Sequence, residues 1–320
     1  MKKTLLVVLA SLLLPSFALA QAKVKVGVSI PTADHGWTGG INWWAKKAIA
    51  DWQAKDKNVE FLLVTAESPQ KQVNDVEDLM TKGITALVIL AHDSAPLTPV
   101  VKKAYEKGIY VVSVDRGLTE KAENVYIAGD NPGLGATSAD WLGKAMGGKG
   151  NVVVLEGIPC VINTERVEGF KQVIAKKYPG VKILDSQPAM WDTQKGLQIM
   201  ENYLQKYKQI DAVWAQDDDV LIGVLQAIKE SKRTDIKVAL GGAGSKLMVK
   251  KVMDGDALVQ ADVTYPPNMI ATGITLGVLG AQGKGVEGFY QKKVPSKIVV
   301  SAELVTKANA KDYYVPESVY

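Results

Sequence analysis

VVSVDRG, residues 111–117, runs four small or aliphatic residues straight into an acid and a base, Asp115 and Arg116. An unbroken apolar run suits a strand covered on both faces of a sheet, whereas a half-solvated strand alternates apolar with polar. Upstream the same unit repeats. KVKVGVSI (23–30), FLLVTA (61–66), ALVILA (86–91) and IYVVSV (109–114) read as strands, and 41–55, 70–83 and 96–108 between them as helices. Apolar strands alternating with helices of 10–15 residues predict a parallel sheet wrapped on both sides.

Downstream the rhythm starts again. Strands are expected at 151–157, 181–187, 212–216 and 236–242, and helices at 165–178, 193–207 and 220–231. ITALVILAHD (84–93) matches IDAVWAQDDD (210–219) in pattern, and IYVVSVDRG matches IKVALGGAG in position. The expected fold class is therefore α/β, with two similar doubly wound parallel-sheet lobes joined by a multi-strand hinge. Turn residues in VYIAGDNPG (125–133), between the halves, mark a candidate hinge. A helix after Val263 and a strand at 297–304 return the chain to the first lobe and cross it again. These boundaries give a first lobe of 21–129 plus 265–298 and a second of 130–264 plus 299–320.

Composition narrows the function. Lys2 and Lys3, the apolar run from Leu5 to Leu14 and the small-x-small site Ala18–Ala20 form a secretory signal peptide, residues 1–20, cleaved before Gln21 and directing the chain to the periplasm. That run is too short to span a bilayer, which takes about 20 apolar residues. The signal carries two lysines and no acid, so the +4 of the whole sequence falls to about +2. Such a mild balance predicts neither nucleic acid nor a charged membrane surface as partner, and no stable membrane insertion. Cys160 is the single cysteine, which excludes an intrachain disulfide and a cysteine-based metal site.

In open parallel sheets, ligands bind beyond the carboxyl ends of the strands. The residues there are Asp34, His35 and Trp37 after the first strand, Asp115 and Arg116 after the fourth, Trp191 after 181–187 and Asp217 after 212–216; Tyr265 begins the second hinge segment. A carboxylate only accepts hydrogen bonds and a guanidinium only donates. Together they satisfy vicinal hydroxyls, each of which does both, and the charged partner makes each bond about twice as strong as a neutral one. Trp37 and Trp191 offer electron-rich faces to the C–H face of a sugar ring. Asp218 and Asp219 are expected at a solvated helix N-terminus, where acids complement the dipole.

Enzyme readings find little. His35 and His92 are the only histidines, and neither has a partner at metal-ligand spacing; no G-x-S-x-G occurs. GLGATS (133–138) has Ser where a dinucleotide fingerprint needs its third Gly, and reads as a turn opening a helix. No catalytic residue, metal or cofactor is expected, and Trp44 and Trp52 fall on one helix face as core.

With SVDRG, AGDNPG, ERVEGF, SQPAMWD and AVWAQDDD in this order over the whole mature chain, the sequence resembles the ribose-type periplasmic sugar-binding proteins of ABC transporters. The resemblance implies a type I periplasmic binding protein fold, a two-lobed clamp that closes on one monosaccharide and presents itself to a membrane permease. It places sugar-binding roles on Asp115, Arg116, Trp37, Trp191, Asp217 and Tyr265, with Asp34 near the polar member of the first loop. Two departures stand out: Asn163-Thr164 where the family often has an arginine, and Ala243 where a strand-end aspartate is usual. They direct the reading to a pentose-like monosaccharide or a sugar alcohol, bound by a monomer. The rivals are the effector domain of a sugar-responsive repressor, which an export signal in place of a DNA-binding helix-turn-helix argues against, and a chemoreceptor-coupled sugar sensor.

Overall fold

In a computed structural model, which describes residues 23–320, the chain builds two parallel sheets and passes between them three times. The elements of the first stretch are β1 (Val24–Pro31), α1 (Gly36–Lys55), β2 (Val59–Ala66), α2 (Pro69–Thr81), β3 (Ala86–Ile89), α3 (Ser94–Glu106), β4 (Tyr110–Val114) and β5 (Val125–Gly129). Then come α4 (Asn131–Ala145), β6 (Lys149–Glu156), α5 (Val161–Lys177), β7 (Gly180–Pro188), α6 (Thr193–Lys206), β8 (Ala212–Trp214), α7 (Asp218–Ser231), β9 (Val238–Leu240), α8 (Lys246–Asp254) and β10 (Ala261–Val263). The chain ends with α9 (Met269–Ala281), β11 (Lys297–Val300), β12 (Leu304–Thr306) and α10 (Ala310–Tyr313). The signal peptide expected at 1–20 lies outside the described residues.

The first sheet has the order β11-β5-β4-β3-β1-β2 and the second β7-β6-β8-β9; all their pairings are parallel. Their apolar runs are continuous because both faces are covered. Leu87, Ile89 and Val111 point into a core with α2 and α3, while Ala86, Val88, Val112 and Val114 point into another with α1 and α9. The second sheet divides likewise. Val152, Val154 and Trp214 face α4 and α5, where Phe170 stacks on Trp214 at 4.1 Å, and Val153, Leu155 and Val213 face α6 and α7.

The glycine run that imitates a dinucleotide fingerprint lies inside α4, where it lets two helices touch. A Cβ on Gly135 would stand 1.9 Å from the Arg166 carbonyl oxygen, and one on Gly169 would stand 2.4 Å from that of Pro132. Asp130 caps the helix, accepting from the Gly133 N–H at 2.9 Å.

The three crossings run side by side. β5 is a full strand of the first sheet, so the first crossing is confined to Asp130 rather than spread over 125–133. The expected strand at 297–304 is two. β11 stays in the first sheet as far as Val300, two residues beyond the expected boundary, and β12 pairs antiparallel with β10 in a separate two-stranded sheet. Asp130 N–H donates to the Val300 carbonyl and Thr264 N–H to that of Glu303, both at 2.9 Å, which laces the segments together. No helix among the described residues is long and apolar enough to cross a membrane.

Candidate functional site

The carboxyl ends of the two sheets face each other across a chamber of about 360 Å³ beside the crossings. The first half contributes His35, Trp37, Asp115 and Arg116; the second contributes Ile162, Arg166, Trp191, Asp217 and Ala243, and Tyr265 comes from a crossing segment.

Each wall is set by local backbone geometry. Asp115, Trp191 and Ala243 all have positive φ (61°, 55° and 133°), and so does Gln216 (57°), which precedes Asp217. Non-glycine residues held this way cost about 1–3 kcal/mol each and gather at functional sites. At β4 the turn aims the Asp115 carboxylate at the crossing, where Oδ1 accepts from the Tyr265 hydroxyl at 2.5 Å, while its own carbonyl accepts from Tyr126 Oη at 2.8 Å. Arg116 is steadied by one bond, Nη1 to the His92 carbonyl at 2.7 Å, which leaves four of its five N–H groups for other acceptors.

Arg166 is the residue that the motif ERVEGF hides. It lies on α5 and is 5% exposed. Its Nε donates to Asn131 Oδ1 at 2.9 Å, and its guanidinium carbon stands 4.4 Å from the Tyr265 ring centre and 5.9 Å from that of Trp191. The close α4–α5 approach through Gly135 delivers it there. Asp217 faces the same space and caps α7, its Oδ1 accepting from the N–H groups of Asp219 and Val220. Burial, and then the neighbouring Asp219 and Asp218, push its carboxyl well above the ordinary carboxylate range, with Arg166 opposing them. Burial, followed by Asp115, raises the Tyr265 phenol well above its ordinary value.

The two indoles differ. Trp37 is buried, spends its N–H on the Tyr265 carbonyl at 2.9 Å and lies 6.0 Å from the Tyr265 ring, tilted by 43°. Trp191 lies flat on Gly157, where a Cβ would come within 2.1 Å of its ring nitrogen, and that nitrogen is buried with no partner among the described residues.

Three expected contact residues stand elsewhere. Asp34 is exposed and is consumed by the start of α1, accepting from Thr38 Oγ1 at 2.7 Å and lying 2.6 Å from His35 Nδ1. Asn163 Oδ1 accepts from Gly157 N–H and Gln216 Nε2, both at 2.9 Å, so it ties the end of β6 to the end of β8 behind the chamber wall. Thr164 is exposed, bonded to the Cys160 carbonyl on the outer side of α5. Arg166, two residues beyond Thr164 on the same helix, is the arginine that reaches the chamber.

The expectation of a solvated start to α7 also fails. Asp218 is fully buried, accepting from Gly242 N–H at 2.9 Å and Ser245 N–H at 2.7 Å, because the β9–α8 loop closes over it. Burial raises Asp218 and Asp219, and it raises Asp262 well above the usual range with the help of Asp218. Asp219 lies against Gly36 at the start of α1, in the other half. No metal-holding cluster of His, Cys, Asp or Glu occurs among the described residues.

Residues 26–285 match the model of the periplasmic binding protein domain, so the chain belongs to that family. It is 31% identical to the ribose import binding protein of Bacillus subtilis (strain 168) over 80% of this chain and 81% of that one. It is 32% identical to the galactofuranose-binding protein of Escherichia coli (strain K12) over 84% and 85%. Among solved structures, an ABC transporter periplasmic solute binding protein from Actinobacillus succinogenes 130z with bound D-allose superposes with a TM-score of 0.78 at 26% identity, covering 91% of this chain and 100% of that one. The fold is the type I periplasmic binding protein fold, and the chain is a binding protein rather than an enzyme.

Proposed function

We propose that this member of the family is the exported solute-binding component of an ABC transporter, taking a pentose-like monosaccharide or a sugar alcohol in the chamber and handing it to a permease. The observation that carries the reading is the make-up of the chamber. Arg116 and Arg166 donate, Asp115 and Asp217 accept, and Trp191 offers a ring face, all lining one chamber. A polyol ring has that alternation of acceptors and donors around an apolar C–H face, and the Bacillus subtilis relative is a ribose import binding protein.

The lobes of the clamp are 21–129 plus 265–300 and 130–264 plus 301–320, and the hinges are the segments near Gly129–Asn131, Asp262–Tyr265 and Val299–Ser301. The protein works as a monomer. Residues 1–20 direct export and are removed, so the exported form begins at Gln21, which N-terminal sequencing checks.

The deciding experiment is a thermal-shift screen of monosaccharides and polyols, followed by calorimetry of the best ligand on the wild type and Arg116→Ala. Leaving ligand hydroxyls unpaired costs about 1–3 kcal/mol each, so the variant binds at least tenfold more weakly, tenfold being about 1.4 kcal/mol. Near-normal affinity in a folded Arg116→Ala protein sinks the assignment.

A further inference from the structure

The chamber does not end at its own far wall. Asp115, Arg116, Ile162 and Trp191 also border a second, solvent-open space of about 1320 Å³. Residues 92–94 and 117–119 of the first half and 158–162 with Glu165 of the second form its sides. A ring seated against Trp191 therefore lies beside a second space that borders the same Asp115-Arg116 pair.

We infer that this compartment receives a substituent carried by the bound ring, so that the ligand class is a neutral glycoside or the end of an oligosaccharide rather than a free monosaccharide alone. The inference rests on the sugar-binding reading of the chamber. The chemistry of the walls selects the substituent. Asp93, Glu165 and Asp115 outnumber Arg116, the one always-charged cation on the boundary, which disfavours phosphate and carboxylate groups. Ser94 and Thr119 present hydroxyls for a polar aglycone. Ile158 and Val161, which is 73% exposed, give apolar surface on the opposite side, suited to the C–H face of a second ring or a short alkyl group.

Calorimetry of the mature chain tests this with paired probes: D-ribose, D-xylose, L-arabinose, D-galactose and D-allose, each beside its methyl and phenyl β-glycosides. For whichever free sugar binds, at least one glycoside binds within tenfold of it or more tightly. Val161→Trp, which fills the compartment from an exposed position, weakens the glycoside at least tenfold and leaves the free sugar within threefold; Thr119→Trp does the same from the facing wall. If every glycoside of the bound sugar is weaker by more than tenfold, or if both variants weaken free sugar and glycoside equally, the inference is overturned. If no free sugar and no glycoside binds, the sugar reading of the chamber falls as well, and the free-sugar arm reports that separately.

Discussion

The ends of β4 and β8 occupy equivalent places in the two halves, and both turn through a left-handed residue into charge, yet they solve opposite problems. After β4 an acid and a base follow each other, and each has a single fixed partner: Tyr265 for Asp115 and the His92 carbonyl for Arg116. After β8 three acids follow one another, with Asp262 nearby, and burial raises the carboxyls of all four. Their partners are backbone N–H groups of Asp219, Val220, Gly242, Gly244 and Ser245. The first arrangement spares its charges for a ligand. In the second, Asp218 and Asp262 hold loops by accepting backbone amides, while Asp217 both caps α7 and faces the chamber.

The sharpest break of that comparison is Asp218→Ala. Two buried N–H groups, those of Gly242 and Ser245, lose their acceptor, at about 1–3 kcal/mol each. A loss of about 3 kcal/mol or more in urea unfolding is expected, with the midpoint lowered and the slope kept. Asp115→Ala strands only the Tyr265 hydroxyl, so its stability falls by about 1–2 kcal/mol while ligand affinity drops at least tenfold. If the two substitutions cost equal stability, the division between loop-holding and ligand-facing acids is wrong.

A second prediction concerns the helix contact that brings Arg166 in. A methyl group on Gly135 cannot coexist with the Arg166 carbonyl 1.9 Å away, so Gly135→Ala forces α4 and α5 apart. Overpacking of this kind costs about 1–3 kcal/mol. Affinity should fall with it, since Arg166 moves off Tyr265 and Trp191. Unchanged binding together with lowered stability would show that Arg166 does not need this placement.

The pH response sets the acids at the β8 end apart, by sign, from a surface acid on α4. Asp262 and Asp218 titrate above their unfolded value of 3.8, so in the window upward from there the folded state holds more protons than the unfolded one. Stability from these groups is present below that window and is lost as pH rises through it, by at most about 1.4 kcal/mol per pH unit per proton. Asp140 runs the other way. Hydrogen bonds from Lys144 and Lys177 hold it at about 2, so its contribution is present above 3.8 and is lost as pH falls toward 2. Urea midpoints at pH 5 and pH 8 should therefore favour pH 5, and Asp262→Asn, which keeps an acceptor for Gly244, should flatten the difference. An unaltered difference in that variant would place the proton elsewhere.

How much of this was legible depended on whether the signal was local. Apolar runs bounded by helices report burial on both faces, so β1 to β4, β6 to β9 and the strand-end placing of Trp37, Asp115, Arg116, Trp191 and Asp217 could be read directly, whereas β5 reads as a hinge segment and β11 merges with β12. Arg166 could not. It sits within a helix that reads as solvated, and what buries it is the fit of Gly135 and Gly169 across two helices, a pairing between distant positions. Asp218 was misread for the same reason, since the loop that covers it comes from residues 242–245. Asn163 and Thr164 were drawn in by their place in a motif, although on the helix only Ile162 and Arg166 of that turn, four residues apart, share the face that meets the chamber.

The smallest effect expected is in overall shape, and it tests whether the two strand ends act together. Asp115 and Arg116 are rooted in the first sheet, Arg166, Trp191 and Asp217 in the second, and the links between are three laced crossings with Tyr265 on one of them. A ligand that touches both walls gains its full set of contacts only when the walls approach, so binding favours the closed arrangement by that difference in contacts. Rotation is absorbed at a few residues of the crossings. Small-angle scattering should then give a smaller radius of gyration with saturating ligand than without it, and Asp217→Ala, which removes a contact on the second wall, should reduce the fraction closed at a given ligand concentration. An identical profile with and without bound ligand would mean that the β4 and β8 ends form a rigid pocket, and that the crossings serve connection rather than motion.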